Sequence, residues 1–192
     1  MGIKIMGLLD KIGSLLSSKK KDAQILLVGL DNSGKSSIIN YLKPNESKLA
    51  IIKPTVGFNT EKLNAKGMNL TIFDMSGNNR YRNLWEHYYR DVDAIVFVID
   101  VADRMRVVVS KEELDLMLNN PELKQRNIPI LFLANKNDLK EALPIGEIKC
   151  ELELDRIKNK KWEIVGCSSK FGEGIINGFE WLAQAIRDNN TT

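Results

Sequence analysis

The chain has little of what builds metal centres or disulfide frameworks. Its 192 residues include two cysteines, Cys150 and Cys167, without CxxC spacing, and a single histidine, His87. That predicts neither a zinc site nor a disulfide scaffold, and a reducing cytoplasmic compartment is the simplest reading. No apolar run approaches the ~20 residues that a membrane span needs. No internal repeat is visible, and only the last few residues form a short polar tail. Charge of one sign is also lacking: 28 Lys and Arg against 25 Asp and Glu leave +3. A pI near 8.8 is mildly basic and does not point to nucleic acid. Charges are interspersed except at Lys19-Lys20-Lys21. What is present is 43% hydrophobic residues, enough for one full core in a chain of one-domain length.

The apolar residues fall into short continuous runs: 24–29, 94–100 and 130–135. Runs of this length fit strands covered on both faces, as in a parallel sheet. Helix-like segments separate them, at Lys35–Leu42, Lys111–Leu118 and Ile175–Ile186. The alternation predicts a doubly wound α/β domain with a six-stranded, mostly parallel sheet. Phe58–Leu63 and Met68–Met75, joined by Asn64-Ala65-Lys66-Gly67, read as a β-hairpin and make one edge antiparallel. Ahead of this lies an amphipathic helix, with Ile5, Leu8, Leu9, Ile12, Leu15 and Leu16 on one face. The expected organisation is 1–21 as helix and basic linker, 22–188 as the domain, and 189–192 as tail.

Gly29-Leu30-Asp31-Asn32-Ser33-Gly34-Lys35-Ser36 fits G-x-x-x-x-G-K-[ST] between a predicted strand and a predicted helix, the context that makes the P-loop pattern credible. The glycines let the backbone curl until successive N–H groups point inward, and the helix N-terminus adds positive potential. Lys35 is expected to reach the β- and γ-phosphates and Ser36 to ligate Mg²⁺, with Ser37 beside them. This predicts a nucleoside triphosphate without saying which.

Asn135-Lys136-Asn137-Asp138 decides the base. At the C-terminal end of a predicted strand, the Asp138 carboxylate can accept both the N1–H and the 2-amino group of guanine, where adenine offers neither donor. The Lys136 stem can lie along the purine. Ser168-Ser169-Lys170 can give a backbone N–H, that of Ser169, to the guanine carbonyl; a solvated loop is the alternative. Asp74-Met75-Ser76-Gly77 ends the hairpin. Asp74 can hold Mg²⁺ through water, the Gly77 N–H can touch a γ-phosphate, and Thr55 can complete the Mg²⁺ shell. Loops that carry Thr55 and Gly77 would be ordered by GTP and released by GDP.

With Pro54-Thr55-Val56-Gly57-Phe58 and Arg82-Asn83-Leu84-Trp85 added to the P-loop and the amphipathic N-terminus, nearly the whole chain resembles the Arf-like small GTPases. Phe73–Gly77 and Arg80–Tyr89 are similar to the Bardet–Biedl-associated branch of that family, whose GTP form recruits the BBSome coat to membranes in ciliary trafficking. Met6–Asp10 resembles the start of that branch, which makes residues 1–5 an extension. The resemblance implies a coat or adaptor partner in the GTP state, an exchange factor, a GTPase-activating protein, and a monomer without nucleic acid. It also implies a cytoplasmic protein that meets membrane reversibly at a cilium, basal body or flagellum. The interswitch hairpin would slide by two residues on GTP binding and free the N-terminal helix for lipid; a helix packed permanently on the core is the alternative. Gly2 and Gly7 lack the Ser or Thr that myristoylation expects. Phe58, Phe73 and Tyr88 match an effector-binding aromatic triad, with Trp85 and Tyr89 alongside; core packing is the alternative for Phe73.

Two residues depart from the family pattern. Asn78 stands where a glutamine usually orients the attacking water, one methylene shorter. Asp31 adds charge beside the γ-phosphate. Of the catalytic set Lys35, Thr55, Gly77 and Asn78, the last predicts very slow hydrolysis. A GTP-locked scaffold, or a switch in Golgi and endomembrane traffic, are the alternative roles.

Overall fold

The computed structural model of the chain describes residues 22–65 and 68–189. The predicted N-terminal helix, residues 66–67 and residues 190–192 lie outside the described residues. Six strands form one sheet: β1 (Asp22–Val28), β2 (Phe58–Ala65), β3 (Met68–Met75), β4 (Ala94–Asp100), β5 (Ile130–Asn135) and β6 (Trp162–Cys167). Their order is β2-β3-β1-β4-β5-β6. Every pairing is parallel except β2 with β3. The helices are α1 (Lys35–Leu42), α2 (Arg104–Asn119), α3 (Pro121–Lys124), α4 (Ile145–Glu151) and α5 (Ile175–Asn189). The sheet and its one antiparallel edge are those expected.

Side-chain alternation builds a core on each face. Ile25 and Leu27 of β1, Val96 and Val98 of β4, and Leu131 and Leu133 of β5 pack with Ile38 and Leu42 of α1 and Phe179 and Leu182 of α5. Their neighbours Leu26, Val28, Ile95, Phe97, Ile99 and Phe132 point the other way, toward Val107, Leu114 and Met117 of α2 and Ile148 of α4. β4 and β5 are buried along their whole length, which is why they read as unbroken apolar runs.

Several boundaries differ from expectation. The hairpin ladder continues to Ala65 opposite Met68, so β2 outruns its predicted end at Leu63. α2 begins at Arg104, seven residues before Lys111, behind an Asp103 cap whose side chain accepts from the Arg106 N–H at 3.2 Å. α5 runs to Asn189, past its predicted end at Ile186.

The chain leaves β1 between β3 on one side and β4 on the other, the switch point at which ligands bind in open α/β sheets. The loops after β1, β3, β4, β5 and β6 gather at the C-terminal ends of the parallel strands. Among the described residues no helix is long and apolar enough to cross a membrane.

Candidate nucleotide site

The loop 29–34 turns tightly from β1 into α1. Gly34 takes φ +96 at the start of the helix, and a β-carbon there would lie 2.2 Å from the Asn135 amide nitrogen. Left-handed backbone and close approach together require glycine. Lys35 Nζ folds over the loop, donating to the Gly29 carbonyl at 3.0 Å and the Leu30 carbonyl at 2.7 Å. Burial pushes the Lys35 ammonium down to about 8, against the opposing pull of Asp74 and Asp31. A buried, partly compensated cation at the mouth of a helix is set to take phosphate oxygens.

Beside it, Ser36 Oγ donates to Asp74 Oδ2 at 2.6 Å and lies 3.0 Å from Thr55 Oγ1, which is itself 3.4 Å from the same carboxylate. Residues from α1, the 48–57 loop and β3 thus converge on one point. Asp74 Oδ1 is buried without a hydrogen-bond partner. Burial raises the Asp74 carboxyl above its usual range, although Ser36, Lys35 and Thr55 counter it. An unsatisfied buried carboxylate oxygen next to two hydroxyls is a hard oxygen set that fits Mg²⁺ completed by phosphate and water.

Gly77 lies against the P-loop. A β-carbon there would be 2.1 Å from the Asp31 nitrogen and 2.5 Å from the Gly29 carbonyl. The Ser76 N–H donates to the Gly57 carbonyl at 2.9 Å, and the Trp85 indole N–H donates to the Ser76 carbonyl at 3.0 Å. After Asn78 the chain forms ten residues of 3₁₀ helix, Asn79–Tyr88. Runs this long are uncommon because the hydrogen bonds are poorly aligned, so the segment depends on its anchors. Asn78 caps it, its Oδ1 accepting from the Arg80 N–H at 3.1 Å. Arg82 reaches back, Nε to the Gly77 carbonyl at 2.8 Å and Nη1 to Glu113 at 2.6 Å.

A third group acts on the P-loop tip. Arg106 Nη2 donates to the Asp31 carbonyl and to Asp31 Oδ1, both at 2.7 Å. Partial burial pulls the Asp31 carboxyl upward, but the hydrogen bond and charge of Arg106, with Arg82 beyond, hold it below the usual carboxylate range. Sequence reasoning missed both arginines, because no spacing rule joins residues so far apart along the chain.

At the other end of the cleft, Asn135 ties three segments together. Its Nδ2 donates to the Ser33 carbonyl at 2.7 Å and to Ser169 Oγ at 3.2 Å. Its Oδ1 accepts from the Ser169 N–H at 2.9 Å. The N–H assigned from sequence to the guanine carbonyl is therefore held by Asn135, which fixes the loop against the P-loop. Lys136 takes φ +68 and pairs with Asp100 at 2.5 Å, a partner that sequence reasoning did not supply. Asp138 is exposed at the cleft, and Ser168 is buried. Burial, with the charge of Asp138, pushes the Cys167 thiol up to about 12, so it packs as an inert neutral group.

The sequence matches the ADP-ribosylation factor (Arf) family over residues 9–186. The chain belongs to the Arf family. It is 50% identical over 186 residues to ADP-ribosylation factor-like protein 6 of Danio rerio, covering 97% of this chain and all of that one. It is 43% identical to ADP-ribosylation factor K of Dictyostelium discoideum over 88% of each. The solved Arl6 BBS3 small GTPase of Trypanosoma brucei, with the bound nucleotide analogue GppNp, superposes with a TM-score of 0.81 at 35% identity, covering 87% of this chain and 98% of that one. The protein is thus an Arl6-like small GTPase, a GTP-binding switch of a family of GTP hydrolases that bind GTP or GDP with Mg²⁺.

The aromatic residues expected to meet an Arf-family effector divide into two groups. Tyr88 sits between Phe58 and Phe73, ring centroids 5.5 and 4.7 Å away. Phe58 is 44% exposed, whereas Phe73 and Tyr88 are half-buried. Trp85 and Tyr89 are buried in the core. The expectation of Trp85 as an effector contact is corrected here: it is 2% exposed within the core cluster that holds Met75 and Phe97, and its N–H is engaged by the Ser76 carbonyl. Sequence reasoning missed Ile51 and Val56, exposed at 77% and 74% next to Thr55. Their apolar exposure has no periodic pattern that would announce it.

Proposed function

We propose that this chain is a GTP-dependent recruiter: with GTP and Mg²⁺ bound, it draws a BBSome-like coat or adaptor to membrane for ciliary or vesicular traffic. The observation that carries the reading is the position of the partner surface. Exposed Val56 and Phe58 follow Thr55 in the chain, Phe73 lies shortly before Gly77, and Tyr88 ends the 3₁₀ helix after it; Thr55 and Gly77 are the two residues able to sense a third phosphate. Phosphate contacts at those residues set the shape of that surface. The relative named Arl6 BBS3 adds support for the ciliary coat.

In this reading residues 22–188 bind the nucleotide and 1–21 meet the membrane. Gly29 to Ser37 cradle the phosphates. Lys136, Asp138 and Lys170 receive guanine, with Asn135, Ser168 and Ser169 fixing the loops that carry them. Ser36 and Thr55 hold Mg²⁺ directly and Asp74 holds it through water, where the ion neutralises phosphate charge. Lys35, Thr55, Gly77 and Asn78 carry what hydrolysis there is, at a very slow intrinsic rate. An exchange factor and a GTPase-activating protein set the cycle, and the protein acts as a monomer.

A pull-down from ciliated cells with protein loaded with GppNp or GDP tests the proposal. A coat complex retained only with GppNp is the expected result; equal retention with both nucleotides would sink it. A GTP-locked scaffold is the second reading, favoured by the use of Asn78 as a helix cap. Nucleotide chromatographed from freshly purified protein separates the two: GTP persisting without added activator selects the scaffold.

A further inference from the structure

The tip of the P-loop carries a carboxylate. Asp31 lines the same cavity of about 430 Å³ as Lys35, Thr55, Gly77 and Asn78, and its side chain is 51% exposed. A negative charge in that position repels the terminal phosphate of a triphosphate more than it repels a diphosphate, which ends one phosphate farther away. Two arginines from other elements answer it. Arg106, in the first turn of α2, donates from one nitrogen to both the Asp31 carbonyl and carboxylate at 2.7 Å. Arg82 Nη2 stands 3.8 Å from the same carboxylate oxygen, while its other nitrogens hold Gly77 and Glu113.

Among the described residues, the side-chain hydrogen bonds of Arg106 go to Asp31. Its Nε is buried without a partner, a cost that the guanidinium carries in order to reach Asp31. The Asp103 cap fixes the turn from which it reaches. The pair joins the P-loop to α2 just where Gly77 touches the Asp31 nitrogen.

We propose that Arg106, assisted by Arg82, is a specificity-determining positioning residue that sets the preference for GTP over GDP by neutralising Asp31 at the mouth of the phosphate cradle. The inference rests on the reading of this cleft as the GTP site. Removing Arg106 leaves an uncompensated carboxylate facing the third phosphate. Removing the Asp31 charge as well makes Arg106 dispensable.

The test is the ratio of affinities for GppNp and GDP, each with Mg²⁺, measured by fluorescence competition on the full chain. Arg106→Gln should lower the GppNp preference roughly two- to fivefold, the scale of a partly exposed ion pair. The loss should shrink as salt is raised. The double variant Asp31→Asn/Arg106→Gln should return the ratio to that of Asp31→Asn alone, itself no lower than wild type. Arg106→Lys, which keeps charge but loses the fork, should fall between wild type and Arg106→Gln and guards against misfolding of the latter. An unchanged ratio in Arg106→Gln, equal loss of both nucleotides, or a double variant as impaired as the single would each overturn the proposal. Wild-type protein that bound neither nucleotide would overturn the GTP site together with it.

Discussion

Asn78 accepts a hydrogen bond from the Arg80 backbone N–H at 3.1 Å through its side-chain oxygen. The amide proposed to stand where a glutamine would orient water is therefore engaged in capping the 3₁₀ helix after Gly77. Asparagine is the right length for this task, since it is among the best N-cap residues. It is a methylene short for the other. Order in the switch and orientation of water draw on the same amide.

Asn78→Gln should accordingly raise the single-turnover rate of GTP hydrolysis, by on the order of 10² if misplacement of the amide by an ångström is the defect. Asn78→Ala should remove about 1 kcal/mol of capping, seen as faster amide exchange over residues 79–82. Hydrolysis rates that coincide for wild type and Asn78→Gln would remove Asn78 as the cause of slow turnover.

Mg²⁺ dependence should follow the Ser36–Asp74–Thr55 cluster. Ser36→Ala deletes the hydroxyl 2.6 Å from Asp74 Oδ2, and the Mg²⁺ concentration that slows GDP release should rise roughly tenfold or more. Asp74→Asn should act in the same direction. Release kinetics of a fluorescent GDP across a Mg²⁺ titration measure both; unchanged midpoints would exclude these residues as the ion's site.

Gly77→Ala places a methyl against backbone atoms of Leu30 and Asp31 at 2.1 Å, and backbone cannot swing aside as a side-chain end can. GDP binding should survive, because the clash lies at the γ-phosphate end. GppNp-dependent capture of a partner should be lost. A variant that still captured its partner with GppNp alone would show that Gly77 does not read the third phosphate.

Lys35 makes nucleotide binding pH-dependent. Burial lowers its pKa to about 8, and phosphate oxygens favour the charged form, so binding raises it. Below about pH 8 the ammonium is protonated free and bound, and this group adds no pH dependence. Above that, the free protein has lost the proton and binding must take it up, so affinity for GDP falls by up to about tenfold per pH unit. Calorimetry near pH 9, in buffers of different ionisation enthalpy, should report proton uptake that disappears in Lys35→Arg, whose guanidinium stays charged. Equal uptake in the two proteins would clear Lys35 of the effect.

The features legible in the sequence were those whose residues are contiguous or periodic. The P-loop, β4 and β5 each carry their signal within eight residues, and α1 was bounded correctly because Gly34 and Lys43 frame it. The start of α2 was not legible. Met105, Val108 and Val109 are exposed while Val107 and Leu114 are buried, so no single apolar stripe marks the helix. The motif puts Trp85 beside the effector triad, yet the need of a large indole for burial and of its N–H for a partner places it under Ser76. The Asp31–Arg106 pair spans 75 positions, and only the packing of α2 on β4, the strand next to β1, brings it together.

The hydrogen bond from the Ser76 N–H to the Gly57 carbonyl, at 2.9 Å, has a consequence for how the protein measures its ligand. It continues the β2–β3 ladder one rung past Phe58 and Met75, with one residue, Val56, between it and Thr55 on one side and none between it and Gly77 on the other, the two residues proposed to sense the third phosphate. If Thr55 and Gly77 both contact the third phosphate as proposed, they are linked in series through one rung. Displacement of either would then pass through a peptide hydrogen bond rather than a flexible loop, so a phosphate touching Thr55 but not Gly77 would strain the rung instead of producing a half-signal. A two-valued output from a continuous binding event needs a stiff link of this kind, and here it is one backbone amide long.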